Sequence, residues 1–229
     1  MTAAAACDSG TVQHAHRDPL STDELAARIA LDIPPRSYVN LGIGQPTRIA
    51  EYLDPAAGII LHTENGMLGM GPAAHGDEID DDLVNAGKVP VTELPGAAYF
   101  HHADSFAMIR GGHLDVCVLG AFQVSARGDL ANWHTGRPED IPAVGGAMDL
   151  ATGAGQVLVM MSLFTRSGEP KLVPDCTYPL TGVACVSRVF THHAVFTMTD
   201  NGVLVNETFG ITLGELRERL DIPLVSGLT

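Results

Sequence analysis

The stretch that decides the fold is Tyr38–Thr63, YVNLGIGQPTRIAEYLDPAAGIILHT. Tyr38–Leu41 reads as a short strand, Gly42–Thr47 as a turn, Thr47 to about Leu53 as a short helix, and Gly58–Thr63 as a second strand. Upstream, Ser21-Thr22-Asp23-Glu24 sets a hydroxyl at a helix N-cap and a carboxylate three residues later, a capping box. The helix it opens carries Leu25, Ile29 and Ile33 near one face and is stopped by Pro34-Pro35. Helix, strand, turn, helix, strand is the rhythm of an α/β domain. The expected fold is therefore α/β: a mostly parallel sheet flanked by helices.

Working outward, Asp77–Asp82 reads as an acidic surface loop and Phe106–Arg110 as a short helix ended by Gly111-Gly112. Asp115–Leu119 and Gln156–Met161 are apolar enough to be buried strands, and Ser125–Pro142 is rich in loop-forming residues. Arg188–Phe190, Ala194–Thr199 and Val203–Glu207 read as strands, the last two joined by the hairpin signal Asn201-Gly202. Thr212 and Glu215 repeat the capping box and open a terminal helix through Leu220. No repeat or linker divides the chain. Residues 1–19 are expected to be a flexible tail and residues 20–229 a single domain.

Composition narrows the function classes. The chain has 229 residues, 45% hydrophobic and 17% charged, which is the composition of a folded domain with a substantial core. Its net charge is −14 with no Lys/Arg cluster, which disfavours duplex nucleic acid and an anionic membrane surface as partners. No apolar run reaches the ~20 residues of a membrane helix. The four cysteines, Cys7, Cys117, Cys176 and Cys185, form no C-x-x-C pair, and Met1–Asp18 lacks the basic and apolar regions of a signal peptide. A reducing cytoplasmic location is expected. The histidines show no zinc spacing, no G-x-S-x-G elbow surrounds a serine, and no metal is expected.

The chemistry-bearing candidate is Thr63-Glu64-Asn65-Gly66-Met67-Leu68-Gly69-Met70-Gly71-Pro72, read as a loop. A carboxylate leaves the end of an apolar strand and precedes Asn-Gly, which turns the chain sharply. From composition alone, Glu64 reads first as an ordinary exposed carboxylate before a turn. Gly42-Ile43-Gly44 lacks the third glycine of a dinucleotide fingerprint and serves equally as a tight strand-to-helix turn. Gly145-Gly146-Ala147, before Met148-Asp149-Leu150, offers backbone N–H groups to an oxyanion or is simply a close-packed helix entry. Arg110, Arg127, Arg137, Lys88 and Lys171 are scattered, most of them read as solvated surface charges.

Four motifs in order change the weighing. Asn40-Leu41-Gly42-Ile43-Gly44-x-Pro46, Glu64-Asn65-Gly66-Met67-Leu68-Gly69, Gly145-Gly146-Ala147-Met148-Asp149-Leu150 and Cys176-Thr177-x-Pro179-Leu180-Thr181-Gly182 together resemble the β subunit of family I CoA-transferases, the 3-oxoacid type. The resemblance spans about Leu20 to Leu220. Ala98–Phe106 and Gly128–Gly136 look most like the branch that uses 3-oxoadipate.

The resemblance implies that Glu64 is the nucleophile, carrying first an acyl anhydride and then CoA as a thioester. It implies that Gly145, Gly146 and Ala147 form the oxyanion and substrate-binding loop, with the backbone amide of Gly146 or Ala147 as the donor, that Asn40 lies near the nucleophile, and that Asn65 and Gly66 support it. It implies no permanently bound cofactor, with a coenzyme A thioester as substrate. It implies a partner CoA-transferase chain of the A type in a hetero-oligomer, a heterodimer or heterotetramer. It implies succinyl-CoA as donor and 3-oxoadipate as acceptor, with acetoacetate as the alternative. A distal acceptor carboxylate would call for a cation, for which His134 and Arg137 are candidates. A non-catalytic binding protein on the same scaffold is the reading from another class. One departure stands out: Met161-Ser162-Leu163 replaces the commoner Met-Glu-His, and Thr63 replaces the commoner Ser.

Overall fold

The protein is described from a computed structural model covering residues 18–142 and 145–228. The expected tail, through residue 17 and including Cys7, lies outside the described residues. In chain order come α1 (Thr22–Ala30), β1 (Tyr38–Leu41), a 3₁₀ helix (Gln45–Tyr52), β2 (Ile60–Thr63), β3 (Met67–Ala73), β4 (Val91–Tyr99) and α2 (His102–Arg110). They are followed by β5 (Val116–Leu119), β6 (Gln123–Ser125), β7 (Leu130–Ala131), α3 (Ala147–Gly153), β8 (Gln156–Met160) and β9 (Leu172–Val173). The chain continues with β10 (Val186–Phe190), β11 (Ala194–Thr199), β12 (Gly202–Thr208), α4 (Leu213–Arg219) and β13 (Leu224–Ser226).

Among the described residues ten strands form one sheet, in the order β13-β12-β11-β10-β8-β5-β1-β2-β3-β4. Its centre, β10-β8-β5-β1-β2, is parallel throughout. Antiparallel strands extend it on both sides. A small second sheet runs β7-β6-β9.

The central strands are apolar on both faces because both faces are covered. Along β5, Val116 and Val118 join one core while Cys117 and Leu119 join the other; along β8, Leu158 and Met160 alternate in the same way with Val157 and Val159. The first core is closed by Leu25 and Ile29 of α1 and by Ile49 of the 3₁₀ helix. The second is closed by Ile109 of α2, Leu150 of α3 and Leu216 of α4. Both expected capping boxes form, at Ser21/Glu24 and at Thr212/Glu215.

A half-buried ion-pair cluster fastens α1 to the sheet. Arg28 of α1 spans Glu207 of β12, with Nε 3.0 and 3.1 Å from its two carboxylate oxygens, and Asp32, 2.8 Å away. Asp32 also receives Arg188 of β10.

Several elements differ from expectation. The stretch Thr63–Pro72 is not a loop: β2 and β3 form a tight antiparallel hairpin, with Thr63 opposite Met67 and Glu64-Asn65-Gly66 as its turn. Two glycines and a proline disguise β3, whose Met67 and Met70 are nonetheless buried. The strand β4 escapes composition because it contains Pro95 and Gly96; it lies at the sheet edge, where a missing N–H costs little. The helix expected at Phe106 begins at His102, and Ser125–Pro142 contains β7. The short strands β9 and β13 have no counterpart among the expected elements.

Candidate active site

Glu64 follows the last residue of β2 at the carboxyl edge of the parallel strands. Its hairpin turn is closed by the Gly66 N–H, which donates to the Thr63 carbonyl at 3.1 Å. Gly66 has φ 114°, and a Cβ there would run into the Phe100 carbonyl, so both backbone and space require glycine. The Asn65 side-chain amide donates to the Val84 carbonyl at 2.7 Å. The Met67 N–H donates to Thr63 Oγ1 at 3.1 Å. The turn is thus tied down on three sides and holds the base of the Glu64 side chain.

A buried polar chain braces the peptide before Glu64. Asn40 Nδ2 lies 3.1 Å from His62 Nδ1 and also donates to the His62 carbonyl at 3.2 Å. Nδ1 is therefore the acceptor, and the ring proton sits on Nε2, 2.9 Å from Ser105 Oγ. The Ser105 hydroxyl then donates to the Thr63 carbonyl at 3.1 Å. Asn40 and His62 are each 2% exposed. Burial pushes the His62 imidazole down to about 4, which keeps it neutral near pH 7. The chain links β1, β2 and α2 to the backbone that carries Glu64.

Above it opens a cleft of about 560 Å³. Gly42 and Ile43 after β1, Leu119–Phe122 at the end of β5, Gly145–Ala147 at the entry to α3, and Met160–Ser162 at the end of β8 line it, together with Glu64, Asn132 and Lys171. This is the carboxyl edge of the sheet, where parallel α/β folds build their sites.

Glu64 is half-buried, and burial holds its carboxyl above the usual carboxylate range; nearby Asp149 pushes the same way. The Gly146 backbone N–H, by hydrogen bonding, and His102, by its charge, pull it back down. Arg110 pairs with Asp149 at 2.7 Å and so offsets part of that second acid. Gly146 has φ −72°, open to any residue, so its backbone does not call for glycine. Space does: a Cβ at 146 would stand 2.7 Å from Glu64 Cδ, nearer still to Oε2, and 3.0 Å from Phe106 Cζ.

The structure thus brings Glu64, Gly145, Gly146 and Ala147 into one cleft. Asn65 and Gly66 shape the turn. Asn40 lies beneath the cleft, in contact with His62, and lines a much smaller cavity next to it. His134 and Arg137 do not line the cleft. Of the scattered cations, Lys171 does, and composition alone had no signal to separate it from the rest. Arg127 instead pairs with Asp175 and Asp129. Among the described residues no helix is long and apolar enough to cross a membrane, and no group of three or more His, Cys, Asp or Glu is placed to hold a metal ion.

Comparison with known proteins bears on this geometry. The family pattern described as "Coenzyme A transferase" matches residues 22–208. The chain is 60% identical over 207 residues to the B subunit of 3-oxoadipate CoA-transferase from Pseudomonas putida, covering 90% of this chain and 97% of that one. It is 42% identical over 200 residues to the B subunit of succinyl-CoA:3-ketoacid coenzyme A transferase from Helicobacter pylori, covering 87% and 96%. Its fold is that of an acyl-CoA transferase from Escherichia coli O157:H7 solved as a thioester complex with CoA, at a TM-score of 0.68 and 20% identity, covering 93% of this chain and 44% of the longer one. With nearly its whole folded length matched, the chain belongs to the coenzyme A transferase family.

Proposed function

We propose that this chain is the glutamate-bearing subunit of a two-subunit CoA-transferase that moves CoA from succinyl-CoA to 3-oxoadipate. The observation that carries the reading is the Glu64 carboxylate, half-buried in the cleft against the Gly146 backbone. The relatives named for 3-oxoadipate, at 60% identity over almost their whole length, support the acceptor. Acetoacetate is the second acceptor reading, favoured by the 42% relative named for 3-ketoacids.

The chemistry needs no proton donor. A Glu64 carboxylate oxygen adds to the thioester carbonyl, the C–S bond breaks, and CoA leaves as thiolate, giving an acyl-glutamyl anhydride. The thiolate adds to the Glu64 carbonyl and the donor acid leaves as carboxylate, so Glu64 carries CoA as a thioester. The acceptor carboxylate then runs the steps in reverse. Charge balances at every stage. Burial raises the basicity of Glu64, and the hydrogen bond from the Gly146 N–H favours its ionised form. As oxygen charge develops on the carbonyls, the Gly146 and Ala147 N–H groups are the donors assigned to it. Asn40 acts through His62 and Ser105 as a positioning residue.

Two features support assembly with a second chain. The cleft is open on this chain, and an anhydride survives only where water is excluded. The chain with its partner forms a hetero-oligomer, in which residues 20–229 act as one domain. The test is co-purification with the partner chain, followed by an acceptor panel with succinyl-CoA. Turnover with 3-oxoadipate well above that with acetoacetate is expected. Turnover with neither, or full turnover by the isolated chain, would contradict the reading.

A further inference from the structure

The cleft holds a second charge. Of the residues that line it, only Glu64 and Lys171 ionise at neutral pH; the others are glycines, apolar side chains and neutral amides or hydroxyls. Lys171 has no carboxylate within ion-pair distance among the described residues. In a chain with 13 basic residues against 27 acidic ones, Lys171 is the cation that lines this cleft among the described residues.

The placement is built rather than incidental. The chain leaves the sheet after β8, turns back through Thr165–Glu169, where the Thr165 N–H donates to the Glu169 carbonyl at 2.8 Å, and returns beside its own path. The Lys171 N–H donates to the Leu163 carbonyl at 2.9 Å, and the Lys171 carbonyl accepts from the Val124 N–H at 2.9 Å. The next residue, Leu172, is fully buried in β9. The backbone is therefore clamped on both sides and the stem is anchored. Half-burial costs the free ammonium solvation and holds its pKa below the usual lysine range. Ser162 also lines the cleft and offers a hydroxyl rather than a charge, so it does not neutralise the cation.

We propose that Lys171 is the specificity-determining cation of this cleft, holding the distal carboxylate of a dicarboxylic acyl group whose other end reacts at Glu64. The apolar part of the same lining, which includes Leu119, Ala121, Leu150 and Met160, suits the methylene chain that joins two carboxylates. A half-buried cation meeting a carboxylate makes a charge-assisted hydrogen bond stronger than one in open water. An acyl group without a distal carboxylate leaves Lys171 unpaired and forgoes that gain. The inference rests on the transferase reading for the reaction at Glu64, but the carboxylate site itself does not require it.

The test uses the complex with its partner chain, wild-type and with Lys171→Met or Lys171→Gln, each checked by thermal melting. Two readouts separate the claims. The first is the rate of CoA attachment to the protein from succinyl-CoA, which has a distal carboxylate, and from acetoacetyl-CoA, which has none. The second is calorimetric binding of succinate against butyrate. Loss of one charge-assisted bond should lower the second-order rate constant of CoA attachment from succinyl-CoA about 10- to 100-fold in both variants, and that from acetoacetyl-CoA less than about 3-fold. Succinate affinity should fall by a similar factor and butyrate affinity should not change. Equal loss with both donors, or no loss of succinate binding, overturns the proposal. Should wild-type take up no CoA while succinate binding still depends on Lys171, the transferase reading fails and the carboxylate site stands.

Discussion

Gly146→Ala is the sharpest perturbation of the cleft, because it adds one methyl group and nothing else. The backbone at 146 tolerates alanine, with φ −72° and ψ 2°. The new Cβ would sit 2.7 Å from Glu64 Cδ, where ordinary contact begins near 3.4 Å, and closer still to Oε2. The carboxylate must therefore retreat by roughly 1 Å. The group that moves is the end of a side chain, so stability should change by no more than ~1 kcal/mol. Catalysis depends on that end. A displacement of about 1 Å costs on the order of 100-fold in rate, or ~2.7 kcal/mol of transition-state stabilisation. The assay is kcat/KM for CoA transfer by the assembled complex, with thermal melting alongside. A variant that melts like wild-type and works within about 3-fold of it would refute the claim that Gly146 crowds the nucleophile. A variant that loses its fold would show that the glycine serves packing against Phe106 instead.

Three further outcomes are expected. His62 is protonated in the unfolded chain below about 6.5 but in the folded chain only below about 4, so stability is full above pH 6.5 and falls as pH drops to 4, by ~3 kcal/mol; His62→Gln should flatten that slope in urea titrations, and an unchanged slope would place the titration elsewhere. Glu64 ionised at pH 7 works against burial, so Glu64→Gln should melt higher than wild-type at pH 7, with the difference shrinking on acidification as wild-type Glu64 takes up its proton; a lower melting point at pH 7 would contradict this. Arg28→Ala removes the shared partner of Asp32 and Glu207, both half-buried, and should destabilise by about 2 kcal/mol in denaturant titration, while a loss under ~0.5 kcal/mol would mean the pairs are solvent-screened.

Much of the fold was legible because its signals are local. The capping boxes at Ser21 and Thr212, the apolar runs at Val116–Leu119 and Gln156–Met160, and the Asn201-Gly202 hairpin each declare themselves within a few residues. What was missed lacks local signals. The edge strand β4 carries Pro95 and survives only because no neighbour needs that N–H. The hairpin strand β3 depends on pairing with β2, and its glycines and proline suppress any strand propensity of its own. The site divides in the same way. Glu64 has an apolar strand before it and Asn-Gly after it, but those neighbours alone read as an ordinary exposed carboxylate, and it was the four ordered motifs that singled it out. Its bracing joins Asn40 to His62 and His62 to Ser105, 22 and 43 positions apart, and no spacing rule connects them. Lys171 looks like any other surface lysine until the return after β8 places it in the cleft with Glu64.

The central claim is that Glu64 carries CoA covalently, and the most direct measurement is mass spectrometry of the peptide containing it. The assembled complex is incubated with succinyl-CoA, quenched, digested and compared with the Glu64→Gln complex treated alike. A CoA adduct on Glu64 in the wild-type peptide, removed when 3-oxoadipate is added before the quench and absent from the Gln variant, is the predicted result. Wild-type transfer activity without any adduct at Glu64, or an adduct and turnover that persist in the Gln variant, would contradict the account.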